Sequence, residues 1–285
     1  MVMENHYTFE KDVQTLCESF NLSVEELAGK LGIPPSSFFF FLKEGPSDDV
    51  LESFYGLAFH KGMRFNKVKE ELFRESREPG EVLLFHGSKD GLTEIDPNGS
   101  RSTCDFSNGF YCGESYSSAL CFVESNEKSS VYAFKARLDG LKIGEFKSDL
   151  EWMLSVCYYR GMFKGYESND KLMAIIQKHL DDDVIIAPIA DNRMFRVMQQ
   201  FGQGEITDVQ AIHALSASRL GKQYVFKSEK AVSRLKEIER LYLCKEEKKV
   251  SIANSDERAY EIQTKLDLSK REYREGGHYI DEVFA

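Results

Sequence analysis

The apolar and polar positions of residues 8–76 read as a run of short helices. Asn21-Leu22-Ser23 precedes Val24-Glu25-Glu26, so Ser23 is the expected N-cap and Glu26 closes a capping box. Leu27, Leu31 and Ile33 form the apolar face that follows. Gly32 turns the chain, and Pro34-Pro35 opens the next helix, where a missing N–H costs nothing. Phe38 to Leu42 makes a very apolar short helix ended by Glu44-Gly45-Pro46. Ser47 to Lys61 and Phe65 to Arg74 supply two more, and Arg77-Glu78-Pro79-Gly80 is the expected linker.

The pattern then changes. Glu81-Val82-Leu83-Leu84-Phe85 is a short strand-like run that ends in His86-Gly87-Ser88. Phe106 to Cys112 is a second strand-like stretch flanked by Gly109 and Gly113, and Ser115 caps an expected helix to Val123. Val131 to Leu138 alternates as a strand. Leu150 to Tyr159 is an amphipathic helix carrying Trp152, the only tryptophan. Lys171 to Leu180 is another helix, broken by Asp181-Asp182-Asp183 ahead of a buried strand, Val184 to Pro188. Thr207 opens the helix Asp208 to Ser216, and Gln223-Tyr224-Val225-Phe226 is a last strand. These features predict a mixed α+β domain over residues 81–236. Beyond it, Val232, Leu235, Ile238 and Leu241 form a helical stripe in Lys230 to Lys245. Glu246 to Ala285 mixes charges with few large apolar residues, so 237–285 is expected as a charged, partly helical C-terminal arm.

Composition narrows the function classes. The chain has 285 residues, 21 Phe, 13 Tyr and a formal net charge of -10, with ample apolar material for a core. An acidic chain does not grip nucleic acid over most of its surface. The N-terminal module has the layout of a small helix-turn-helix domain and resembles the phage-repressor class. Residues 1–78 hold 9 basic and 14 acidic side chains, however, and its second helix offers Ser36-Ser37-Phe38-Phe39-Phe40-Phe41. A packing or partner-binding role fits those residues better; DNA binding by this module is the alternative left open. The six cysteines show no C-x-x-C pair and the N-terminus has no signal-like apolar core, which suits reduced thiols in a cytoplasmic protein. No apolar run approaches the roughly 20 residues a bilayer needs, so no membrane is expected. The six His show no paired spacing, so no metal site is expected.

Two motifs carry the chemistry. His86-Gly87-Ser88 ends a strand, and Asp105-Phe106-Ser107-Asn108-Gly109-Phe110-Tyr111-Cys112 follows about 20 residues later, leading to Ser117-Ser118-Ala119. Each alone reads as an ordinary strand end or Gly-hinged aromatic strand. In this order they resemble the ADP-ribosyltransferases of the diphtheria-toxin and poly(ADP-ribose) polymerase type. The likeness looks closer still to a bacterial branch catalogued as a domain of unknown function. That branch adds a Trp helix with a following Arg (here Glu151-Trp152 to Arg160), a segment like Ile189-Ala190-Asp191-Asn192-Arg193, and a final strand like Gln223-Tyr224-Val225-Phe226.

The resemblance implies a split β-sheet domain that takes NAD as substrate. Cleaving the nicotinamide–ribose bond builds an oxocarbenium-like cation, so the site must hold the ring and the ribose and offset positive charge. By resemblance His86 bonds the nicotinamide ribose, Gly87 bonds the amide through its backbone, and Ser88 and Phe110 flank them. Tyr111 shapes the ring pocket. A second stacking aromatic comes from the next helix, where Cys121 and Phe122 fall and Phe122 is the better candidate. Arg101 and Arg160 are candidates for the pyrophosphate, with surface ion pairing the plainer role for each. Asp191 and Asn192 either belong to a polar loop that caps a helix after the buried strand or orient NAD or the acceptor.

One departure matters. Transferases of this type carry a Glu where this chain has Gln223, and an amide supplies neither charge nor a base. Three readings stay open: Gln223 serves with a carboxylate from Asp191 or Glu205; the carboxylate is Glu205 or Glu229 instead; or the domain binds NAD without efficient transfer. The expected function is mono-ADP-ribosylation of an intracellular protein or nucleic acid, in the manner of a toxin with a cognate antitoxin or a phage-defence protein. A non-enzymatic NAD-binding regulator is one alternative, and NAD hydrolysis without an acceptor is another.

Overall fold

A computed structural model describes residues 8–190, 194–216 and 220–285. The protein is α+β, with a helical N-terminal region and seven strands among the described residues. In chain order the first elements are α1 (Phe9–Phe20), α2 (Val24–Lys30), α3 (Pro35–Glu44), α4 (Asp48–His60), α5 (Phe65–Glu75), β1 (Glu81–Ser88), β2 (Phe110–Gly113), α6 (Tyr116–Leu120), β3 (Ser130–Arg137) and β4 (Ile143–Glu145). There follow α7 (Leu150–Tyr159), α8 (Asp170–Lys178), β5 (Val184–Pro188), α9 (Met194–Gly202), α10 (Asp208–Leu215), β6 (Lys222–Phe226), α11 (Glu229–Val232), β7 (Leu235–Tyr242), α12 (Lys245–Glu272) and α13 (Ile280–Val283). The chain divides into two compact units: the described residues of Met1–Glu94, Ser115–Lys135 and Glu237–Ala253, and those of Ile95–Glu114, Ala136–Lys236 and Asn254–Ala285.

In the first unit the helix boundaries follow local chemistry. The Ser23 hydroxyl accepts from the Glu26 N–H while the Glu26 carboxylate accepts from the Ser23 N–H, the expected capping box. Phe9, Leu16, Leu27, Phe38, Leu51 and Phe54 pack into one helical core. Phe38 is the buried member of the α3 phenylalanines, whereas Phe39 and Phe40 face solvent. Strands β1, β3 and β7 lie side by side in that order, and α6 covers Leu83 and Phe85 of β1. Under the helical core lies a buried ionic node. Lys69 Nζ on α5 donates to Asp12 Oδ2 on α1 at 2.6 Å and to Glu239 Oε1 on β7 at 2.5 Å. Tyr55 donates its hydroxyl to Asp12, and Thr8 donates to Glu239.

In the second unit the strands run in the order β4-β5-β6-β2. β4 and β5 are parallel, and β6 is antiparallel to both β5 and β2. Tyr111 faces Val225 and Gly113 faces Gln223 across the β2–β6 ladder. Side chains alternate across a strand, so Tyr111, Gly113, Val225 and Gln223 share one face. That face looks into a core built of Phe106, Trp152, Met153, Val156, Met198, Phe201 and Val225 from α7, α9 and the strands.

Four expectations need correction. The strand expected over Phe106 to Cys112 begins only at Phe110, because Ser107 takes a left-handed turn (φ 65°) before it. The helix capped by Ser115 ends at Leu120 and continues as tight turns through Val123. The stripe over Lys230 to Lys245 is not a helix: α11 ends at Val232, and Leu235 to Tyr242 is strand β7. Its apolar alternation is masked because the inward position between Leu235 and Leu241 holds Glu239, buried against Lys69. The segment after 236, expected as a charged, partly helical arm, is also packed into both units. It supplies β7 to the first unit, and Ile262, Leu266, Ile280 and Phe284 to the core of the second.

Candidate functional site

The Asp-Phe segment of the second unit is tied down atom by atom. Asp105 is buried, and its Oδ1 accepts from Arg160 Nε at 2.8 Å and Nη2 at 2.6 Å. Its Oδ2 accepts from Gln223 Nε2 at 2.9 Å. The same Gln223 nitrogen donates to the Pro188 carbonyl at 3.0 Å, so both amide hydrogens have acceptors. Trp152 Nε1 reaches that carbonyl too, at 3.2 Å. Burial raises the Asp105 carboxyl above the usual range; the Arg160 charge and the Gln223 bond pull the other way.

One residue further on, the Tyr111 hydroxyl donates to the Ser107 carbonyl at 2.6 Å and accepts from the Phe106 N–H at 3.1 Å. Burial pushes the Tyr111 phenol up, so it stays protonated. Lys227 Nζ donates to the Phe106 carbonyl at 2.6 Å. Gly109 allows the turn to close: a Cβ there would lie 2.4 Å from Val225 Cγ1. The Arg160 guanidinium also stacks on Phe195, 3.6 Å from the ring centroid, an arrangement suited to its planar charge. The structure therefore joins Gln223 and Arg160 through Asp105, a motif residue given no role above, and sets Tyr111 on the backbone of the turn that follows Asp105. The signal was present: a lone acid directly before a buried Phe, with an Arg ending the Trp helix.

The other expected residues lie elsewhere. In the first unit His86 and Gly87 end β1. Gly87 is demanded by packing, since a Cβ would stand 2.5 Å from the Ala119 carbonyl of α6 and 3.0 Å from Val123. Ser88 spends its hydroxyl on the Gly91 carbonyl. Phe122 is 48% exposed, and the neighbouring Cys121 thiol donates to the Ser118 carbonyl at 3.1 Å. In the second unit Phe110 is buried and Arg101 is exposed. Glu205 and Glu229, the alternative carboxylates, are both exposed. Asp191 and Asn192 lie outside the described residues. The six cysteines are free thiols, and among the described residues no cluster of acids, His or Cys could hold a metal ion. No helix among them is long and apolar enough to cross a membrane.

A protein-family model described as "Protein of unknown function (DUF3990)" matches residues 82–236, more than half of the chain. The chain belongs to this family. The DUF3990 span takes in His86, the Asp105–Tyr111 segment, Arg160 and Gln223, and leaves out the helices before β1. No curated protein and no solved structure matches the chain.

Proposed function

We propose that the DUF3990 region is an NAD-consuming ADP-ribosyltransferase that modifies a macromolecular acceptor. The observation that supports this reading is the convergence in the second unit. Asp105, Arg160 and Gln223 are spread over more than 100 residues of sequence, belong to the motifs of the resemblance, and meet in one hydrogen-bonded node, while Tyr111 of the same motif is bonded to the backbone of the adjoining Phe106–Ser107 turn. A segment fixed this firmly is preorganised, and a rigid aromatic strand orients a flat nicotinamide ring at little entropic cost. In this reading His86 and Gly87 hold the nicotinamide ribose and amide, and Ser88 and Phe110 are further cofactor-binding residues. Tyr111 and Phe122 supply aromatic surface, and Arg101 takes the pyrophosphate. Asp191 and Asn192 have the role of orienting NAD or the acceptor, which is a protein or a nucleic acid. Such an enzyme needs restraint in its own cell, which a cognate antitoxin would provide; the compartment is cytoplasmic in this reading.

A second reading has its own observation. Gln223 spends its amide hydrogens on Asp105 and Pro188, which supports reading it as a scaffold residue and not as the replacement of a catalytic carboxylate. That favours an NAD-binding regulator, with the helical module addressing a protein or DNA partner. Purified protein, NAD and a cell lysate separate the two. Transfer predicts nicotinamide release and an adduct of ADP-ribose mass, both lost in His86→Ala. Binding without transfer predicts a calorimetric NAD titration with no nicotinamide release. Neither binding nor release would end both readings.

Gln223→Glu, the obvious attempt to restore a catalytic Glu, is expected to destabilise the protein rather than to speed it. A carboxylate there would face Asp105 and leave the Pro188 carbonyl with Trp152 Nε1 as its remaining side-chain donor, a loss of about 2–4 kcal/mol at neutral pH. A lower thermal midpoint at unchanged turnover is the expected result. Raised turnover with an unchanged midpoint would overturn this assignment of Gln223.

A further inference from the structure

One partly buried acid has no part in the NAD reading. Glu247, on the first turn of α12, accepts from Asn66 Nδ2 at 2.9 Å and from the Tyr116 hydroxyl. The same Asn66 nitrogen reaches the Tyr116 hydroxyl at 3.0 Å and the Tyr242 carbonyl at 2.8 Å. Three acceptors thus draw on two amide hydrogens. Asn66 Oδ1, meanwhile, is buried with no hydrogen-bond partner. The node is short of a donor, and a proton on Glu247 supplies one. Burial pushes the Glu247 carboxyl up to about 7, against the Tyr116 and Asn66 bonds and the Arg64 and Lys67 charges of the α5 side. The Cys244 thiol also faces this node, and burial holds it in the neutral form.

Tyr116 carries the node to the candidate site. Its ring is fully buried and meets Phe85 edge to face at 6.3 Å between centroids, and Phe85 directly precedes His86. Tyr116 opens α6, whose Ala119 carbonyl presses on Gly87. Two more α12 residues hold the turns that follow α6. Lys248 Nζ donates to the Asn126 and Glu127 carbonyls at 2.8 and 2.7 Å, and Ser251 donates to buried Glu124.

We infer that Glu247, Asn66 and Tyr116 are positioning residues through which the C-terminal helix seats the His86–Gly87 strand end for ligand capture. The inference rests on the NAD reading for the identity of the ligand. With Glu247 protonated, the node is satisfied and Tyr116 sits firmly on Phe85. With Glu247 ionised, a partly buried charge is hydrogen-bonded by neutral donors alone, with Arg64 and Lys67 acting as charges and not as bonded partners, and water or a shifted Tyr116 must relieve it.

The test is a calorimetric titration of the full chain with NAD at pH 6 and pH 8, paired with hydrogen exchange of residues 83–88 corrected for intrinsic rates. In the wild type, NAD binds about tenfold more weakly at pH 8, a difference of about 1.4 kcal/mol, and protection of 83–88 falls in parallel. Glu247→Gln, neutral at every pH and carrying its own N–H donors, holds the pH-6 values at both. Tyr116→Phe weakens binding at both pH values. A Glu247→Gln variant that keeps the wild-type pH dependence overturns the inference, as does a wild type with none in either measurement. Should NAD fail to bind at any pH, the NAD reading falls, and the exchange data still decide whether the node positions the strand.

Discussion

Arg160→Leu is expected to remove about 3–5 kcal/mol of folding stability at neutral pH, a large share of the 5–15 kcal/mol a domain usually has. Asp105 is 4% exposed, and Arg160 is its cationic partner, held through two guanidinium nitrogens. Leucine fills much of the volume but strands the carboxylate. The stacking of Arg160 on Phe195 is lost as well. The pH dependence follows from the direction of the Asp105 shift. Burial raises its folded-state value above the unfolded one. The folded chain therefore holds a proton the unfolded chain has released, and stability falls as pH rises from the unfolded value through the folded one. Removing Arg160 raises the folded value further. The urea-midpoint gap between wild type and variant should then be widest near pH 8 and narrow toward pH 4. Adding Asp105→Asn to Arg160→Leu should recover a substantial part of the loss. A gap that stays constant from pH 4 to 8 would mean that Asp105 is not the stranded charge.

The same node shows what the sequence made legible. Caps were readable because they are local: Ser23 with Glu26, Ser115 and Thr207 each satisfy backbone donors within three residues. The Trp helix and the strands at Val184 and Gln223 were readable from apolar runs that tertiary packing reinforces. Strand β7 was not, since Glu239 occupies an inward position that only Lys69, 170 residues earlier in the chain, makes tolerable. The packed C-terminal helix was hidden for a related reason. Its apolar contacts, Ile262, Leu266, Ile280 and Phe284, are few and widely spaced, and its charges dominate the pattern. At the candidate site the motifs showed which segments matter and not which atoms they spend. Gln223 stood out as a missing Glu, and no local pattern showed that its amide hydrogens go to Asp105 and Pro188.

Lys69→Leu carries the second large effect, and its pH dependence should be the steeper of the two. Lys69 is a single buried cation between two buried carboxylates, Asp12 and Glu239, at 2.6 and 2.5 Å. Even with it in place, burial raises the Asp12 carboxyl above its usual range, and the charge of Glu239 adds to the rise. Without Lys69 both acids are left among Thr8 and Tyr55, whose hydroxyls donate hydrogen bonds but no charge. Leaving a buried carboxylate unpaired costs about 3–5 kcal/mol, so the variant should sit near or below its folding threshold at pH 8. Acid relieves it, since each carboxyl can take a proton that the unfolded chain has lost. With up to two extra protons bound in the folded state, stability should fall by as much as about 2.7 kcal/mol per pH unit across the titration. The wild type, with Lys69 in place beside both acids, should show a shallower slope. Circular dichroism melts from pH 4.5 to 8 measure this directly, with the helical module melting first because Asp12 joins α1 to α5 through Lys69. Adding Asp12→Asn and Glu239→Gln to Lys69→Leu should flatten the profile and restore most of the midpoint at pH 8. If the triple variant stays as unstable as Lys69→Leu, the lysine acts by packing its methylene stem and the ionic account of this node is wrong.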